Sequence, residues 1–322
     1  MLQPHPTWDV KDSTKIKAYK TCPRLYFYEF MLGWRSRFPN HDLWYGISVH
    51  SALEHIYKEW KDNGVRYTNR VVMEGYEVFL TQYREKFAPS TDIEHKHKNP
   101  SETLIMLSEY VKHYSRDDFE VVYTEISGSV PISRCGKRIF FRLDTLCRDE
   151  RGFFILEHKT SAWDQARWQA SLRQSTQVGV GNHLLFCLYG DKAWGVLLNG
   201  LFLTRPKSYE QEDIGRFFVR VPMRRDMRRM EDWRVTAERW YDDIERETNI
   251  LLNEDNAEKP VMAAFPKNEH GCMAYNRLCR FADYCTAWPN PLARCHTCPE
   301  DFIVEFWDPR SLDKANTTKV EL

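Results

Sequence analysis

No apolar run in this chain approaches the roughly 20 residues needed to cross a bilayer, and Met1 to Pro6 is not a basic segment followed by an apolar one. A membrane span and a secretory leader are therefore not expected, and the expected compartment is cytoplasmic. A charge excess is lacking too: 46 Lys and Arg balance 46 Asp and Glu. Net charge argues neither for nor against a polyanionic partner, so any such surface must come from local clustering. There is no internal repeat and no low-complexity segment. Disorder is excluded by 14% aromatic content with 11 Trp, which is ample material for a core. The nine cysteines are an odd number, and in a reducing compartment they read as metal or cluster ligands and small buried hydrophobes rather than a disulfide framework.

With 322 residues the chain can form one large domain or a core with additions. Ser13-Thr14 opens a helix that Cys22-Pro23 interrupts. Leu43 to Trp60 reads as a helix on which Ile47, His50, Glu54 and Tyr57 share a face. Taken by itself on that face, His50 reads first as a hydrogen-bonded core histidine and only second as a site residue. Asn69 to Phe87 and Thr103 to Tyr114 complete a helical N-terminal third. Strands are expected at Val121 to Ser127, Lys137 to Cys147, Phe153 to Thr160, Trp194 to Thr204 and Phe217 to Pro222. A mainly helical stretch at Trp163 to Leu188 falls among them, and a long helix runs from Met227 to about Asn253. Strands, helix, then strands indicate an α/β fold, a mixed sheet flanked by helices.

The run Phe153-Phe154-Ile155-Leu156-Glu157-His158-Lys159-Thr160 ends in Glu-x-Lys, so alternation sends Glu157 and Lys159 out together on one face. Asp144 lies in the preceding strand, and the polar turn Asp149 to Gly152 makes a hairpin that brings it beside Glu157. Two carboxylates with a lysine suit a hard divalent cation, Mg2+ or Mn2+. Such an ion polarises a phosphodiester and acidifies water, while Lys159 orients that water or neutralises developing charge. On this pattern alone, a surface hairpin with a solvated Glu157–Lys159 pair is the competing reading.

Arg216, Arg220, Arg224 and Arg225 cluster with interleaved Phe217, Phe218 and Met223, and arginines so placed could hold a phosphate backbone. A solvated helix start paired with Asp226, Glu231 and Asp232 is the other reading. Cys272, Cys279 and Cys285 could bind an iron–sulfur cluster or zinc, with Cys22 as the fourth ligand. Cys295-His296-Thr297-Cys298 has the local spacing zinc favours and is the rival. Cys135, Cys147 and Cys187 read as buried hydrophobes.

Taken together, His50, Asp144, Glu157-x-Lys159 and Gln177 resemble the PD-(D/E)XK nuclease superfamily, and in particular its RecB-like branch, over Ser13 to about Cys285. That branch includes AddAB-type and CRISPR-adaptation-type exonucleases and phage relatives. The resemblance implies a restriction-endonuclease-like core. Metal ligands would be His50, Asp144, Glu157 and the main-chain carbonyl of His158. Lys159 would be the catalytic lysine, and Gln177, with Gln174 second, the glutamine of the following helix. The branch usually carries tyrosine four residues after that glutamine, where this chain has Gly181. The resemblance also implies a 4Fe–4S cluster on Cys22, Cys272, Cys279 and Cys285, with zinc as the alternative. The six residues between Cys272 and Cys279 exceed the common two. The expected organisation is a helical portion 1–117, a nuclease core 118–255 and a Cys-rich segment 256–322 folding back on the first, integrated as one domain. The expected function is metal-dependent hydrolysis of DNA, favouring an exonuclease of recombination, repair or phage DNA processing in a bacterial or phage-infected cell, with a helicase or recombination partner compatible. The alternatives are a non-catalytic DNA-binding module and a zinc-stabilised interaction module.

Overall fold

A computed structural model of the chain describes residues 2–95, 97–133, 135–162, 165–203, 217–253, 258–274, 277–312 and 318–321. Its helices are α1 (Ser13–Thr21), α2 (Pro23–Tyr26), α3 (His41–Asn63), α4 (Asn69–Arg84), α5 (Pro100–His113), α6 (Gln165–Leu172), α7 (Thr176–Tyr189), α8 (Met227–Asn253) and α9 (Ala282–Ala287). Its strands are β1 (Trp34–Ser36), β2 (Glu120–Pro131), β3 (Arg138–Asp149), β4 (Gly152–Ser161), β5 (Ala193–Phe202), β6 (Phe218–Met223), β7 (Met273–Ala274), β8 (Arg277–Leu278), β9 (Phe302–Val304) and β10 (Thr318–Glu321). The expected mixed α/β architecture is present. The expected single stretch Trp163 to Leu188 is two helices, because the chain turns at Arg173 and Gln174 before Ser175 opens α7. No described helix is long and apolar enough to cross a membrane.

The chain divides into two compact units, each of three non-consecutive stretches: 1–38, 129–141 and 227–312 in one, 39–128, 142–226 and 313–322 in the other. These bounds do not coincide with the expected consecutive segments.

The second unit carries most of the six-stranded sheet, ordered β10-β2-β3-β4-β5-β6. β3 and β4 form a hairpin closed by the pair Asp149↔Gly152. Gly152 is required there: it has φ +122°, and a Cβ would sit 2.2 Å from the carbonyl oxygen of Lys192. β4 then runs parallel to β5 through the α6–α7 crossover, and β6 returns antiparallel. α3 starts where the Asn40 side chain accepts a hydrogen bond from the Leu43 amide (3.1 Å), satisfying a donor the first turn cannot satisfy itself. Its apolar face, Tyr45, Val49, Leu53 and Ile56, joins Phe79 and Tyr83 of α4, Leu107 of α5, and Phe154 and Leu156 of β4 in one core. Each such side chain contributes roughly 1.5–3 kcal/mol on full burial. The opposite face of β4 receives α7 at Gly181, whose missing Cβ would meet Val196 Cγ2 at 2.8 Å and Ile155 Cδ1 at 3.3 Å. A tyrosine at that position has no room.

In the first unit, α1 is capped by Asp12, which accepts from the Lys15 amide at 2.8 Å and from Trp307 Nε1 at 3.0 Å. β1 pairs antiparallel with β9, placing Trp34 opposite Val304. Stacked rings of Tyr28, Trp34, Phe281 and Phe302 fill the space beside that pair.

Candidate functional site

Strand alternation carries Glu157 and Lys159 to the α7 face of β4, and the closely seated helix brings Gln177 against them. Gln177 Nε2 donates to Glu157 Oε1 at 2.6 Å, and Lys159 Nζ donates to the same oxygen at 2.5 Å. Gln174 stands exposed in the turn before α7 and is not part of this group. The hairpin register, with Thr145 opposite Leu156, sets Asp144 alongside. Asp144 Oδ1 is 3.1 Å from His50 Nδ1, and Asp144 Oδ2 accepts the His158 main-chain N–H at 2.7 Å. The structure thus gathers His50, Asp144, Glu157, Lys159 and Gln177 around one point, and it involves His158 through its backbone.

Charge within the group is uneven. Burial would lower the pKa of His50, but the Asp144 carboxylate outweighs it and raises it. Burial would raise Asp144, yet His50, His158 and Lys159 hold it well below the usual carboxylate range. Glu157 goes the other way: burial and then the Asp144 charge push its pKa up, despite Lys159. Lys159 is raised by Glu157 and Asp144 against its burial. The His158 ring, on the opposite face, is lowered to about 3 by burial. Glu157 is only 2% exposed, whereas the side chains of His50 and Lys159 are 27% and 25% exposed, so solvent reaches the group from their side.

Among the described residues, no three His, Cys, Asp or Glu side chains are already drawn together as the ligand set of one ion. The donors nonetheless fit a hard divalent cation. Glu157 Oε2 is buried with no hydrogen-bond donor, a costly state for a carboxylate oxygen that a cation would relieve. His50, with Nδ1 on Asp144, keeps Nε2 for a cation, as metal-bound histidines commonly do.

One carboxylate went unforeseen. Glu125 of β2 is 4% exposed, bound to Arg142, and raised to about 7 by burial and then by Asp144. Its backbone has φ +50°, and Glu125, Ile126 and Ser127 are buried in succession, which breaks the strand's alternation. That break leaves no trace in residue type.

The arginine cluster does not stay together as expected. Arg220 is corrected from phosphate contact to interior support: its guanidinium is paired twice with Asp117 (2.6 and 2.7 Å), lies 3.6 Å from the Tyr114 ring centre, and is 14% exposed. A group so engaged is not free for a phosphate. Arg224 is exposed, with Trp194 beneath it, and Arg225 is partly exposed. Arg216 lies outside the described residues.

Cys22, Cys272, Cys279, Cys285, Cys295 and Cys298 belong to the first unit. Cys22, at the α1–α2 junction, accepts from the Asn268 amide at 3.3 Å, and Asn268 Nδ2 donates to the Thr21 carbonyl at 2.8 Å. Gly271 packs directly on Thr21 and Cys22, so the C-terminal segment does return to Cys22. The Cys279 amide donates to the Cys272 carbonyl at 2.8 Å. Burial raises the thiols of Cys279 and Cys285, and the nearby sulfurs of Cys22 and Cys272 raise both further. Cys295 and Cys298 are also free. Cys147 is buried as expected, whereas Cys135 and Cys187 are exposed, correcting their assignment to the interior.

No match was found among curated proteins. A solved structure titled "Crystal structure of SSO0001" is 14% identical, covers 65% of this chain and 79% of that one, and superposes with a TM-score of 0.27, a likeness that carries no argument. The model of the PD-(D/E)XK nuclease superfamily, by contrast, matches residues 13–286, a span that holds α1, the hairpin with Asp144 and Glu157-x-Lys159, and the helix with Gln177. This chain therefore belongs to the PD-(D/E)XK nuclease superfamily.

Proposed function

We propose that the chain is a metal-dependent deoxyribonuclease that works from DNA ends, with His50, Asp144, Glu157 and the His158 carbonyl holding Mg2+ or Mn2+. The observation that carries this reading is Glu157 itself: one oxygen shared by Lys159 and Gln177, the other buried without a donor. When bound, the ion supplies Lewis acidity to the phosphodiester and lowers the pKa of an attacking water. Lys159, charged and partly exposed, orients that water and neutralises negative charge as it develops. Gln177 holds Glu157 in place from α7. Arg224, exposed beside Trp194, is the candidate phosphate contact, with Arg225 next to it in sequence. Recombination, repair or phage DNA processing, with a helicase feeding single strands, is the setting this chemistry suits.

In the first unit the same proposal assigns a 4Fe–4S cluster to Cys22, Cys272, Cys279 and Cys285. A cation there would offset the mutual repulsion of the sulfurs. An anaerobic preparation should be brown and contain iron; zinc without iron would replace the cluster with a zinc site.

The test is cleavage of end-labelled linear and covalently closed DNA, single- and double-stranded, with Mg2+, Mn2+ or chelator. Linear substrates alone should be degraded, and Lys159→Ala and Glu157→Ala should each lose at least about 10^3-fold in rate with unchanged circular dichroism. Cutting of closed circles would make it an endonuclease. Full activity of Lys159→Ala would overturn the mechanism.

A further inference from the structure

Behind the metal site, three polar side chains lie in register across three neighbouring strands. His158 of β4 pairs with Asn199 of β5, and Asn199 with Arg220 of β6. His158 is 2% exposed and Asn199 0%. A polar row in a sheet interior is expensive unless each atom is satisfied, and apolar residues would pack there at less cost. Stability alone therefore does not account for it.

The proton inventory of the row admits one arrangement. Arg220 can only donate. Its Nη atoms are held by Asp117, and its Nε donates to Asn199 Oδ1 at 3.3 Å. That contact fixes which end of the Asn199 amide is oxygen. Asn199 Nδ2 must then donate both of its hydrogens, one to Tyr110 Oη at 2.8 Å and one to His158 Nδ1 at 2.8 Å. His158 Nδ1 is consequently bare, and the ring proton sits on Nε2. That Nε2 has no partner among the described residues, so Asn199 alone holds the tautomer.

The ring so held touches the site by two routes. It stacks on Tyr57 (centroids 5.3 Å) and stands perpendicular to His50 (6.0 Å). The main-chain N–H of the same residue holds Asp144 Oδ2. Freeing the ring therefore loosens the support of His50 and of Asp144 together.

We propose that Asn199 is a positioning residue of the metal site: anchored through Arg220 on Asp117, it locks the His158 ring as the Nε2–H tautomer and so orients His50 and Asp144 toward the divalent ion. This deepens the nuclease reading and rests on it for the ion. Supports of this kind behind metal ligands are typically worth about 10- to 100-fold in metal affinity.

The experiment compares the full-length chain with Asn199→Leu and Asn199→Asp, without DNA. Nitrogen NMR of the histidines reads the tautomer, and calorimetric titration with Mn2+ reads affinity. Wild type should show His158 protonated on Nε2 only. Asn199→Asp, nearly the same shape but unable to donate, should move a proton onto Nδ1. Asn199→Leu should bind Mn2+ about tenfold or more weakly. Asn199→Asp keeps the test alive if the leucine variant fails to fold, because it too should weaken Mn2+ binding. An unchanged tautomer in Asn199→Asp, or Mn2+ affinity within about twofold of wild type in a folded variant, overturns the proposal. Wild-type protein that binds no Mn2+ overturns the metal reading itself, even with the tautomer intact.

Discussion

The carboxylate group and the cysteine group are both candidate ion sites, yet their polar atoms are satisfied in opposite ways. Around Glu157, hydrogen bonds from Lys159, Gln177, His50 and the His158 amide already fix nearly every ligand. Around Cys22, chain packing brings the strands together, but the sulfurs only repel one another's ionisation. One group is held together by its own hydrogen bonds before any ion arrives; the other, on the cluster proposal, would gain its cohesion from what it binds. Ion loss should therefore silence the first and unfold the second.

The largest effect separating them lies at the cysteines. Cys279→Ser should lower the melting temperature of anaerobically purified protein by on the order of 10 °C or more. Added Mg2+ or its removal should shift the same melting curve far less. Equal shifts in a calorimetric scan would erase the distinction.

A smaller effect probes how tightly the carboxylate side is built. Gly181→Ala forces a methyl against Val196 and Ile155, and overpacking of this kind costs about 1–3 kcal/mol. Urea denaturation should report that loss, and because α7 carries Gln177, cleavage should fall with it. An unchanged midpoint would mean the helix is not seated as described.

The smallest effect is one of pH. Glu125 titrates near its ordinary 4.5 when unfolded and at about 7 when folded, so the folded chain holds a proton the unfolded chain has released. Its contribution is whole below the lower value and is lost as pH rises through the upper one. In chelator, Glu125→Gln should match wild type near pH 5 and melt a few degrees higher near pH 8. A gap of the same size at both pH values would contradict the raised pKa.

How much of this was legible in the sequence follows from how local each signal is. The bounds of α3, β4 and α8 and the hairpin that joins Asp144 to Glu157 and Lys159 rest on short-range periodicity, whereas Gln177 was implied by the family resemblance; the structure brings all four side chains together. Arg220 was misplaced because clustered arginines read alike. What buries this one is Asp117 and Tyr57, distant in sequence and invisible to any local pattern. Glu125 was missed for a related reason, since a positive φ has no letter. Asn199 sits in an apolar run, where a single amide would have been the clue.

The turn between β3 and β4 has a consequence for what changes in length this chain tolerates. With Asp149 paired to Gly152, only Glu150 and Arg151 lie between the strands, and two residues is among the tightest loops an antiparallel pair closes. Residues added there can bulge outward. A residue removed must be taken up by sliding one strand, and a one-step slide sends Asp144 to the wrong side of the sheet. Deleting a single residue between Asp144 and Glu157 should therefore disrupt the site, whereas an insertion between Glu150 and Arg151 should leave it in register.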